Sequence, residues 1–201
     1  MAEGLFLIRA VLGVLLFAHG AQKLFGWWGG HGLEGTGGFF HTLGHRPGRQ
    51  MAALAGASEA TGGALLFLGL LTPLGAAAII GTMTVAAVSV HADNGLWATN
   101  GGYELPMFYG VVAAGLAFTG PGSFSIDNGL GLHLAGWGWG LLALILGGIG
   151  AAIQLSRRSR VLAQSGDDAY PTEAEAPHTV GDTDTAGDPA TADAEAVESA
   201  G

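Results

Sequence analysis

The stretch 51–71 is long enough to cross a bilayer, and one acidic residue, Glu59, stands well inside it. About 20 apolar residues rising about 1.5 Å each cover the ~30 Å hydrocarbon core. A carboxylate at that depth costs on the order of 2.5–3.5 kcal/mol on insertion scales, so it must face protein or trapped water instead of lipid. A chain with this feature has few options. It needs neighbouring helices that shelter Glu59, and surfaces on which those helices approach closely. Ala52, Ala55, Gly56, Gly62 and Gly63 supply such a small-residue stripe on the same span.

The rest of the chain repeats the long apolar runs. Stretches 4–22, 73–90, 105–118 and 134–155 add four spans, for five in all. Charged residues make up only 11 % of the chain, against about 25 % in soluble domains. The fold class expected is all-α: a polytopic membrane helix bundle with a four-helix core over 1–130, a fifth transmembrane helix with a basic flank over 131–160, and a disordered acidic tail over 161–201. The first run could pass for a secretory leader, but its opening MAEG has no Lys or Arg and Arg9 interrupts it, so a retained helix is expected. Arg9, Leu12, Leu16, His19 and Lys23 share one face of that helix, directed at the Glu59 span. Loop 25–50 is glycine-rich, with a short interfacial helix expected over 35–43. The net charge of −9 comes from the tail, where residues 165–201 hold acidic side chains and no Lys or Arg. With no cysteine, disulfides, thiolate metal sites and a thiol nucleophile are excluded.

Orientation follows from the basic residues. Lys23, Arg46 and Arg49 lie between the first and second spans, and Arg157, Arg158 and Arg160 follow the fifth. Five spans bring both groups to one side, which the excess of Lys and Arg assigns to the cytoplasm, with the N-terminus outside. The same parity sets His19, Lys23, His91 and Glu104 near one membrane surface, with Glu59 as the deeper member and Trp27, Trp28 and Trp97 as a rim. Such a set suits a quinone headgroup. Its two oxygens need hydrogen-bond partners, its ring needs apolar or aromatic walls, and its reduction needs a proton route. Arg9, about 21 Å from Lys23 along the helix, is expected to pair with Glu59 or with Asp127.

Each of these residues also has a purely structural role open to it. Glu59 can be a paired or neutral packing residue, and Arg9 with Asp127 an ion pair that fixes helix register. His19 and His91 can be bonded to loop carbonyls, and the tryptophans can be anchors in the headgroup belt. Haem ligation by His19 and His91 is conceivable but lacks an attachment motif. His31, His41 and His45 match no zinc spacing, so no metal is expected. No phosphate loop, Ser/His/Asp order or nucleic-acid signature is present.

The motifs Gly13-(x5)-His19-Gly20-(x2)-Lys23-Leu24-Phe25-Gly26, Glu59-(x2)-Gly62-Gly63 and Leu71-Thr72-Pro73 resemble those of DoxX-family membrane proteins. So do His91-(x2)-Asn94-Gly95-(x1)-Trp97, Asn100-Gly101-Gly102-Tyr103-Glu104 and Gly120-Pro121-Gly122. The resemblance covers about residues 5–130 and implies a four-helix membrane bundle. It also implies a link to membrane thiosulfate:quinone oxidoreductases and to complexes handling oxidative and thiol stress. It carries over no catalytic residues. A membrane subunit of a quinone-linked redox complex is therefore expected, with the bilayer, soluble redox subunits and a second copy of the chain as partners. The alternatives are a non-catalytic anchor for soluble redox partners and a small-solute or proton carrier. The inverted repeat of many carriers is not visible.

Overall fold

Seven helices make up the fold, and no strand occurs among the described residues. The computed structural model describes residues 2–167. Five rods dominate: α1 (Ala2–Phe25), α3 (Gly48–Leu68), α4 (Thr72–Ala86), α5 (Glu104–Thr119) and α7 (Trp137–Asp167), with short α2 (Gly32–Thr42) and α6 (Ile126–Gly129) between them. Helix α4 widens at its end into a π-helical turn, Ala87–His91, followed by a 3-10 turn, Ala92–Asn94. Four rods are long and apolar enough to cross a membrane: Ala2–Phe25, Gly48–Leu68, Thr72–Asn94 and Trp137–Ser165. Helix α5 has 16 residues and covers only about 24 Å, less than the hydrocarbon core expected of a fourth span.

The rods alternate in direction. At one end Asp127 N–H bonds Gly69 O at 2.9 Å and Gly136 N–H bonds Phe118 O at 2.7 Å, which gathers the α3–α4 turn, the end of α5, α6 and the start of α7. At the other end Arg158 Nε donates to Leu43 O at 2.8 Å, and His45 meets Ser89 at 3.0 Å. The loops 26–47 and 92–103 and the end of α7 thus share that second end, called here the α2 end.

Glycine sets the closest contact. Gly13 and Gly20 stand seven residues apart on α1, and Gly56 and Gly63 seven apart on α3. A Cβ on Gly13 would fall 2.6 Å from Gly63 O, and one on Gly20 would fall 2.5 Å from Gly56 O. The two helices therefore touch backbone to backbone, the small-residue packing available where lipid removes any hydrophobic drive between helices. Leu12, Leu16, Leu66, Ile79, Met83 and Leu116 fill the core around this seam. Gly63→Leu is expected to destabilise the bundle by about 1–3 kcal/mol through overpacking. Gly115→Ala, whose Cβ meets nothing within 4 Å, should leave it unchanged. Thermal unfolding in detergent checks both.

Helix α7 packs along α4 and α5. A Cβ on Gly147 would sit 2.8 Å from Ala77 O, so this rod is built into the bundle and not appended to it. It also continues to Asp167. Residues 161–167, expected to open the disordered tail, are helical instead, since Val161-Leu162-Ala163-Gln164 follows the arginine turn without a helix breaker. The tail from 168 onward lies outside the described residues.

Arg9 and Asp127 do not form the expected direct ion pair. Arg9 Nη1 donates to Leu66 O at 3.3 Å and to Phe67 O at 2.5 Å, two carbonyls in the last turn of α3. The Asp127 carboxylate accepts from Leu71 N at 2.8 Å, Thr72 N at 3.1 Å and Thr72 Oγ1 at 2.9 Å, at the start of α4. A cation sits on a helix C-terminus and an anion on a helix N-terminus, each the favoured sign for the local dipole. Between them the chain reverses through Gly69 at φ 62° and Leu71 at φ 46°. The two charged residues hold one turn from opposite sides.

Candidate functional site

The last turns of α1 carry His19, Gln22 and Lys23, and all three line a half-open cavity of about 1380 Å³ at the α2 end. Thr36, Phe39 and Phe40 of α2 cover it. Met51, Leu54, Ala55, Ser58 and Leu65 line it from α3, their three- and four-residue spacing defining one helix face. Helix α4 contributes its face from Leu74 to His91, and α7 adds Leu146, Gly147, Gly150 and Gln154.

Glu59 sits where this cavity meets the α1–α3 seam. It is 2 % exposed and accepts a hydrogen bond from Lys23 Nζ at 2.5 Å. Helix geometry explains the pairing. Side chains lean toward the N-terminus of their own helix, so in antiparallel α1 and α3 the Lys23 and Glu59 side chains lean toward each other. Arg9 lies too far down α1 to compete. His19, exposed, faces Tyr109 of α5 with ring centroids 6.2 Å apart.

The expected residues divide. His19, Lys23, Glu59 and His91 line the cavity together; Glu104, Trp27, Trp28 and Trp97 do not. Glu104 starts α5, and its carboxylate accepts from Ala98 N–H at 2.9 Å, tying its own loop. His91 Nδ1 donates to Gly101 O at 2.6 Å, and Asn94 Nδ2 reaches the same carbonyl at 3.3 Å. His91 thus has a loop-tying bond as well as a cavity face. Trp27, Trp28 and Trp97 are 50 %, 67 % and 61 % exposed, outside the cavity they were expected to rim. Glycine turns beside them swing the rings outward, and Trp27 packs on Phe25 and Trp28 instead.

Three polar residues were missed. His45 is 6 % exposed, stacks near Phe40 and places Nε2 3.0 Å from Ser89 Oγ. Gln154 lines the cavity from α7, and its Oε1 is buried with no hydrogen-bond partner among the described residues. An amide inside an apolar run was a readable signal for Gln154. The burial of His45 and Ser89 depends on how loop 43–47 folds against the π-helical turn, which spacing does not reveal.

Burial, and second the positive Arg158, hold the His45 pKa below its ordinary value of 6.5. The folded chain then binds fewer protons than the unfolded chain as pH falls below that value. Stability from this group is fully present above about pH 6.5 and is lost as pH drops through the folded pKa. Melting curves at descending pH should show the decline, and His45→Gln should flatten it.

These features define a multi-pass helical membrane protein with a polar-ended cavity among its rods. Residues 4–92, from α1 through the π-helical turn, match the family model described as DoxX. A relative from Haemophilus influenzae, described as an uncharacterized protein, is 38 % identical over 64 residues. That alignment covers 32 % of this chain and 42 % of the relative, so it spans less than half the relative's length. No solved structure matches.

Proposed function

We propose that this protein is a membrane subunit of a quinone-linked redox complex and that the cavity at the α2 end receives the quinone ring. The observation that carries this is the Lys23–Glu59 pair, its carboxylate buried, opening onto a cavity with mostly apolar walls. The residues fit such a ring. Lys23 Nζ, the His19 imidazole and the Gln154 amide are hydrogen-bonding groups for its two oxygens, and the unpartnered Gln154 Oε1 is an acceptor suited to a reduced hydroxyl. A bound quinone supplies two-electron, two-proton reduction chemistry, with electrons from a soluble redox subunit.

The chain's own part is positional and protonic. Glu59 Oε2 holds Lys23 Nζ in place. His91 lines the cavity at the α2 end, and His19 lines it from α1 one turn below Lys23. Phe39 and Phe40 limit water above the cavity. The concentration of Lys23, Arg46, Arg49, Arg157, Arg158 and Arg160 at this end supports a cytoplasmic position for it.

The test is extraction of lipophilic cofactors from the full chain purified gently from a quinone-containing membrane. Wild-type protein should retain quinone, and Lys23→Met/Glu59→Gln should lose it while remaining folded. Wild-type protein with no quinone affinity would end this assignment.

A further inference from the structure

The cavity does not stop at the histidines. It continues along α3 to Leu65 and along α4 to Leu74, both at the α3–α4 turn end. From Ser89 down to Leu74 is 15 residues, about 22 Å of helix. Only its upper end is polar. Lower down, Thr61 Oγ1 donates to Ala57 O at 2.6 Å and Thr82 Oγ1 to Ala78 O at 2.9 Å, so both hydroxyls are bonded back onto their own helices. The groove between α3 and α7, floored by α4, is left lined by alkyl groups.

Helix α7 shapes the open side with two glycines of opposite effect. Gly147 lets the rod press onto α4, whereas a Cβ on Gly150 would meet nothing within 4 Å. Gly150 is therefore not needed for helix contact; its missing side chain leaves room in the groove.

We infer that this groove holds the isoprenoid tail of the quinone, with α7 as its retaining wall; the inference rests on the quinone assignment above. The charges at the upper end favour a neutral headgroup. Lys23 is paired with Glu59, and Arg158 Nε is bonded to Leu43 O. A phospholipid phosphate would place a further anion near the buried Glu59. A neutral ring with one long apolar tail meets both halves of the cavity.

Two photoreactive probes test this on the full chain in phosphatidylcholine vesicles: a benzoquinone with an azide on the ring, and the same quinone with a diazirine at the tip of a long isoprenoid tail. Ring label near Lys23 and tail-tip label on Leu65 or Leu74 are expected. Gly150→Phe should keep the ring label and lose the tail-tip label. Ring label near Lys23 with tail-tip label scattered over lipid-facing Val11, Val111 and Ile145 would overturn the tail groove and leave the quinone assignment standing. Undiminished tail-tip label in Gly150→Phe would overturn it likewise. Failure of both probes to label the cavity would overturn the quinone assignment together with the tail groove. The wild-type map decides the matter even if the variant does not fold.

Discussion

Lys23→Met is expected to destabilise the bundle by about 3–5 kcal/mol, the usual cost of stranding one member of a buried ion pair. The cause is Glu59, whose side chain is 3 % exposed and whose carboxylate would be left buried without its ammonium partner. Lys23 itself is 24 % exposed. Glu59→Gln should therefore cost less, because the freed ammonium can reach water along its flexible stem. The double variant Lys23→Met/Glu59→Gln should recover most of the loss, since no uncompensated charge remains. Unfolding midpoints in detergent for the three variants test this ordering. Equal losses in all three would mean that packing, not charge, governs the site.

Asp127→Ala is the second large effect. Its carboxylate, 0 % exposed, is the acceptor for two backbone amides and one hydroxyl at the start of α4. The two Thr72 donors are buried, and each left without a partner costs about 1–3 kcal/mol, so a loss of at least about 2 kcal/mol is expected. Asp127→Asn, which keeps one carbonyl oxygen, should lose less. Hydrogen exchange at the Leu71 and Thr72 amides gives a local readout, rising in Asp127→Ala before the bundle melts.

Much of this architecture was legible in the chain. Glu59 announced its own burial, because insertion energetics leave a carboxylate inside an apolar run no lipid-facing alternative. The parity of the spans, with the basic residues, brought the 26–47 and 92–103 loops to one end. The partner of Glu59 was harder. Arg9 and Lys23 share one face of α1, and the choice between them depends on helix register. Once Gly13 is set against Gly63, Arg9 stands one turn below and level with Phe67, whose carbonyl it meets. Both glycine pairs were visible, but their pairing across helices was not. Glu104 and the tryptophans were misplaced for a related reason: membership of the right loop does not fix the direction of a side chain. The wall supplied by α7 was hidden differently, since that rod lies beyond the stretch that resembles a known family.

The clamp on the α3–α4 turn draws its two halves from far apart in the chain, one 57 residues earlier and the other 55 residues later. During synthesis the ribosome delivers Arg9 long before this hairpin exists and Asp127 well after its helices have emerged. Until that later segment has been made, the Leu71 and Thr72 amides lack the carboxylate that caps them, so the reversal is finished only after two further rods have begun.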